Sequence, residues 1–433
     1  MTVKDQYGHD LSGASVAAAE HYQKALDAYH CYAGDPFPLL QQAIADSPGF
    51  VMAHALVAYM TLVGADADTA LIGVEAFGAA RTLPATAREA GHVAAIGNII
   101  AGQIRAAGRI LEDVAIDNPR DVLALQAGQL MDFVLGDSRM LRDRIARATP
   151  AWSADMPNYH AILGMHAFGL EETAHYERAE AAGREAIALN PRNNWAQHAV
   201  AHVLEMQDRR AEGVVWMRQD SETWSHESFF QTHNWWHLAL FHLGLGEIDQ
   251  VLALYDGPVA GSQSSMSVDM IDAAALLWRL RLAGVDVEAR WTPLAQRFAA
   301  QPRGGYAFDD IHAVMAFVGA GQDREAQAAI AAMTAAVDGP GDNATASGQV
   351  GLPVAQALVA YGRGDYARAC DLLRRVRDHA GLIGGSHAQR DLLDLTLISA
   401  AGRANETSLE RALLAERTQA APLVTPGRRS IAA

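Results

Sequence analysis

Residues 189–217 read LNPRNNWAQHAVAHVLEMQDRRAEGVVWM, and residues 231–256 read QTHNWWHLALFHLGLGEIDQVLALYD. Asn194, Trp195, His202 and Ala211 of the first stretch recur forty positions later as Asn234, Trp235, His242 and Val251. A helical hairpin written twice at a fixed interval is the mark of a solenoid, whose repeats bury a face only by stacking on one another. With Trp195 at the fourth position of a tetratricopeptide unit, Ala199 and Ala211 fall where that motif wants small residues for close helix approach. His198, His233 and His237 answer to no such rule, because stacking gains nothing from imidazole.

The same cadence runs outward in both directions. HYERAEAAGREAIALNP, residues 175–191, has the spacing of a second repeat helix closed by Asn-Pro. Earlier, a helix ending at Asp46–Ser47 is followed by Val51–Val63, and Asn118-Pro119 opens a helix over Val122–Leu135. Later, HAVMAFVGAGQDREAQAAI and AQALVAYGRGDYARACDLLRRV supply two more hairpins. The expected fold is all-α, a tetratricopeptide-like α-superhelix: a right-handed solenoid of antiparallel helical hairpins in a single domain over 1–418, with the clearest repeats at 175–256 and 353–377. Residues 257–268 and 338–351, rich in Gly, Ser, Pro and Asn, read as surface loops, and 419–433 as a disordered tail.

Bulk composition narrows the function classes. Half of the 433 residues are hydrophobic and strand signals are nearly absent, which favours helix. A net charge of −16 repels phosphate backbones and anionic lipid surfaces, and no basic cluster offsets it, so neither nucleic acid nor a membrane is an expected partner. Two distant cysteines, Cys31 and Cys370, and an opening MTVKDQYGHDLSGAS without signal-peptide character point to a cytoplasmic protein.

The candidate site grows from the unexplained histidines. His198, His202 and Glu205 lie at i, i+4 and i+7 along one helix face, and His233 and His237 repeat the i, i+4 spacing. Trp235 and Trp236, about 100° apart on a helix, send one ring toward that face, and Asn234 lies beside them. Zinc proteases place Glu directly after the first His, whereas Ala199 follows His198 here, so no metal or cofactor is expected. His202, like His242, occupies a repeat position where a large side chain normally packs. Buried imidazole needs partners for both nitrogens, which implies a polar cavity. Asp310 and His312 of FDDIHAVMAF, and His387, Arg390 and Asp391 of GGSHAQRDLL, supply further groups; Gly384-Gly385-Ser386 ahead of them suits an anion or a plain helix cap. No nucleophile motif, P-loop or dinucleotide fingerprint occurs.

The N-terminal DQYGHDLSGAS, WAQHAVAHVLEMQDRRAEG, HNWWHLALFHLGLGE, DAAALLWRLRLAG, DDIHAVMAF and GGSHAQRDLLDLTLISAA together resemble one family, the tetratricopeptide repeat protein 38 family, in order along nearly the whole chain. The resemblance implies an all-helical superhelix and no established activity, cofactor or substrate. The expected function is binding of a small polar molecule by His198, His202, Glu205, His233, Asn234, Trp236, His237, Asp310, His312, His387, Arg390 and Asp391. The alternatives are a scaffold gripping a protein segment and a His-dependent enzyme, with or without a metal, acting on a small molecule. A homodimer through terminal hairpins is compatible with this architecture.

Overall fold

In the computed structural model, which describes residues 3–63 and 67–420, the chain is a succession of α-helices joined by short turns. The only strand pair among the described residues is Val3–Lys4 against Asp10–Leu11. The tail expected from Gln419 onward falls almost entirely outside the described residues.

Helix boundaries follow the punctuation in the sequence. Phe37–Asp46 precedes Val51–Leu62, Ile104–Asp117 precedes Val122–Val134, and Tyr176–Leu189 stops at Asn190. The duplicated stretch forms the hairpins Asn194–Met206 with Arg210–Arg218 and Gln231–Leu245 with Ile248–Leu254. Two further hairpins pair Ala307–Gly319 with Asp323–Ala336 and Leu352–Gly362 with Tyr366–Val376. Hairpins joined by such short turns run antiparallel, so the fold is all-α and tetratricopeptide-like.

The helices gather into two compact units. One comprises residues 1–200 and 220–231, the other 201–219 and 232–433, to the extent that each is described. Each has its own hydrophobic core. In unit 1 it is built on Tyr22, Phe50, Tyr59, Ile96, Met131 and Phe168, and in unit 2 on Trp236, Trp278, Trp291, Phe298, Phe317 and Leu358.

Two local expectations change. Ala211 is exposed, and the close approach from its helix is made by Gly213 to the next hairpin, where a Cβ would come within 2.5 Å of the Phe241 ring. The stretch 338–351 is not a loop throughout, since Asp342–Ala346 is helical and a wider turn over Ser347–Gly351 runs straight into Leu352–Gly362. Its small residues serve tight packing: a Cβ on Gly351 would meet Met333 and Ala307 at 2.9 and 3.0 Å. Asn343 ties the segment down, accepting from Ala307 N at 2.9 Å and donating to Gly304 O at 3.1 Å. Composition alone signals neither the packing nor these bonds. The other Gly-rich stretch does interrupt the helices, with a turn over Tyr255–Val259 before the next helix starts at Ser267.

Candidate functional site

Unit 2 brings three of the singled-out histidines together. His202 comes from Asn194–Met206, and His233 and His237 come from one face of Gln231–Leu245. Ring centroids of His202 and His237 are 4.5 Å apart, those of His233 and His237 4.9 Å, and those of His202 and His233 6.5 Å. One ring nitrogen from each lies within 4.8 Å of those of the others. His202 and His237 are fully buried.

Two residues not singled out from the sequence hold this cluster, both on Ser267–Leu282. Asp272, 1 % exposed, accepts from His233 Nδ1 at 2.8 Å. Arg279 lies with its guanidinium 5.4 Å from the Trp236 ring, and the His233 ring stacks on Trp236 at 5.2 Å and 15°. Burial, aided by His202, His233 and Arg279, drives the His237 pKa well below the ordinary imidazole value. Burial likewise raises that of Asp272, with His233 and Arg279 opposing it.

The same helices wall a cavity of about 380 Å³ within unit 2. Glu205 lies one turn beyond His202, Leu240, Leu243 and Gly244 continue the His233 and His237 face, and Arg279 lies two turns beyond Asp272. His387–Arg403 adds Asp391, Leu395, Ile398, Ser399, Gly402 and Arg403, and Thr407–Ala420 adds Glu410 and Arg417. Arg210, from the turn of the first hairpin, completes the cationic wall and donates to Gly244 O at 2.7 Å. Gly244 leaves room for that arm, because a Cβ would lie 2.3 Å from Arg210 Cδ and Nε.

Four arginines and three carboxylates face this space. Arg417 grips Asp391 through both carboxylate oxygens, at 2.5 and 2.9 Å. Burial acts to raise the Asp391 pKa, but Arg417 outweighs it and keeps the carboxyl below its usual range. Glu205 is the opposite case: burial pushes its pKa up against Arg210 and Arg279, and its Oε2 has no hydrogen bond among the described residues. Arg279 donates to Ala388 O at 2.7 Å, and Arg403 donates to Tyr366 Oη at 3.2 Å over the Tyr361 and Tyr366 rings. The cavity therefore carries an excess of positive charge inside an acidic chain.

The other singled-out residues occupy different surroundings. His198 lies one turn before His202 on the same helix, and in unit 1 its ring is 5.4 Å from Phe168, 5.1 Å from Trp195 and 5.4 Å from Phe230. Asn234 is fully buried in unit 2, with neither amide atom hydrogen-bonded among the described residues. Asp310 accepts from Gly304 N at 3.0 Å, and burial raises its pKa to about 6. His312 bonds Phe308 O through Nδ1 at 2.7 Å, its Nε2 has no such bond, and burial lowers its pKa to about 4. Ser386 caps His387–Arg403 in a reciprocal capping box with Gln389, and His387 is the first residue of that helix. Arg390 turns back onto the Gly384 and Gly385 carbonyls, so this approach is built as a helix start. Of the expected binding residues, Glu205 and Asp391 line the cavity, and His198, His202, His233, Asn234, Trp236, His237, Asp310, His312, His387 and Arg390 do not.

Arg210, Arg279, Arg403 and Arg417, with Asp272, were missed in the sequence. Asp272 and Arg279 did leave a signal, as charges, with Arg281, in the otherwise apolar run DAAALLWRLRLAG.

No protein-family model matches the chain. Among solved structures, a crystal structure of the yeast Tom70 aligns with 93 % of this chain and 91 % of its own, at 10 % identity and a TM-score of 0.41. No described helix is long and apolar enough to cross a membrane.

Proposed function

We propose that the protein is a tetratricopeptide-like binding protein of the tetratricopeptide repeat protein 38 type, acting in the cytoplasm, whose second unit receives the carboxylate end of an extended protein segment. The observation that carries this reading is the set of four arginines around a cavity of about 380 Å³. Guanidinium groups recognise carboxylates by paired, charge-assisted hydrogen bonds, and capture of a chain end is an established mode of peptide recognition. A segment end is small enough for this space, and the apolar wall of Leu240, Leu243, Leu395 and Ile398 suits the side chain behind it.

The test is binding of a random peptide library in two forms, with free C-terminal carboxylates and with carboxamides. Free-acid peptides are expected to bind about 10–100-fold tighter, the worth of a charged hydrogen bond. The exposed Arg403 allows a variant that leaves the core intact, and Arg403→Met is expected to erase most of that difference. Equal binding of acid and amide forms refutes the reading.

A second reading, a small polar anion, is favoured by the cavity volume, which lies at the lower end of small-molecule pockets. Native mass spectrometry of the purified protein separates the two: a bound small molecule supports this second reading, and release of peptides supports the first.

A further inference from the structure

We infer that His202, His233 and His237 form a binding site for one divalent transition-metal ion of the zinc class, with Asp272 orienting His233 from behind. The inference is independent of the cavity and of whatever occupies it.

Three arguments converge. The first is geometric: a tetrahedral ion with bonds of about 2.0–2.1 Å needs donor nitrogens roughly 3.3 Å apart. Here one nitrogen from each ring already lies within 4.8 Å of the others. The second is chemical. Imidazole is the common donor for zinc, copper and nickel, and a set of three leaves one coordination position for water or another donor. The third is the support behind the ring. Metal-bound histidines nearly always donate their remaining N–H to a carboxylate or carbonyl, and His233 Nδ1 donates to Asp272 at 2.8 Å.

Arg279 opposes a second positive charge at the cluster, and its guanidinium is engaged by the Trp236 ring and Ala388 O. The Asp272 carboxylate, 1 % exposed and in direct contact with one of the ligands, offsets it at shorter range.

The experiment uses the full chain, stripped by chelator and then titrated with Co²⁺ and Zn²⁺. One equivalent of Co²⁺ is expected to give the visible absorption bands of a nitrogen-rich four- or five-coordinate site, and Zn²⁺ is expected to abolish them and raise the melting temperature. His237→Ala is expected to remove stoichiometric binding. Because that change can also disturb packing, Asp272→Asn provides the second variant. It keeps all three imidazoles and an acceptor for His233, and is expected to weaken the metal 10–100-fold with the circular dichroism unchanged. Absence of the absorption bands in folded wild-type protein, or the same affinity in both variants as in wild type, overturns the site.

Discussion

His92 in unit 1 and His237 in unit 2 are equally buried, and they are surrounded in opposite ways. His92 has both nitrogens engaged by protein groups, Nε2 with Asp121 at 2.9 Å and Nδ1 with Tyr59 Oη at 3.1 Å. Asp121 in turn takes Arg88 at 2.8 Å and the Ala124 amide at 3.0 Å. Nearby, Arg144 grips Asp132 and the Gly108 carbonyl, and Gln129 bridges the Leu141 and Met165 carbonyls. Around His92 and Arg144, unit 1 thus spends its buried polarity on ties between helices. His237 instead faces other imidazoles, close to the fully buried Asn234, and the same helix continues into a cavity lined with arginine. A polar interior that closes on itself serves the fold, whereas one with capacity left over costs stability and is kept for something else.

The strongest way to break this contrast is Asp121→Ala. Removing the carboxylate leaves Arg88 and His92 buried without their partner, and a loss of about 3–5 kcal/mol is expected in urea denaturation. The same group gives unit 1 an acid limit. Burial acts to raise the Asp121 pKa, but His92 and Arg88 outweigh it and hold it far below the usual carboxylate range. A lowered folded-state pKa means its stabilisation is complete above the unfolded value of about 4 and is lost as pH falls below that. Next in size is His92→Leu, which strands Asp121 and Tyr59 and is expected to cost about 1–3 kcal/mol.

Asn234→Leu tests the other half of the comparison, with the sign reversed. An amide buried without hydrogen bonds is already penalised, so an apolar side chain of similar size is expected to stabilise unit 2 by about 1 kcal/mol. Destabilisation by this change would mean that unit 2 is tied as unit 1 is.

The smallest effect concerns pH. Burial, reinforced by Asp310, raises the Asp309 pKa to about 7. A carboxyl with a raised folded-state pKa keeps its proton on folding, so its contribution is largest at low pH and is lost as pH rises from about 4 through 7. Asp309→Asn is expected to flatten that part of the stability profile, by less than about 1 kcal/mol given partial solvent screening.

Much of the architecture was legible because hairpins announce themselves locally. Asn190-Pro191, Gly136-Asp137 and the forty-residue echo of Trp195 in Trp235 all act within a turn or two of chain. The spacing also placed His233 and His237 on one face, and His202 with Glu205 along another. What it could not give was which faces meet. Asp272 lies 39 positions from His233, and Asp391 lies 26 from Arg417, and neither pairing has any local trace. The cavity arginines look like ordinary surface charges until the helices that carry them are packed. Arg390 illustrates the converse, since a glycine-rich approach with a nearby cation fits anion binding on paper, yet its guanidinium is occupied by the backbone of that very approach.

Gly244 has a consequence of its own. Its missing side chain leaves just the room in which the Arg210 stem lies, and its carbonyl holds the guanidinium at 2.7 Å. A single methyl at that position would evict a flexible arm without disturbing any buried apolar contact, retuning the field inside the pocket while the scaffold stayed whole. Divergent copies of this protein therefore have a one-step route to a different electrostatic preference.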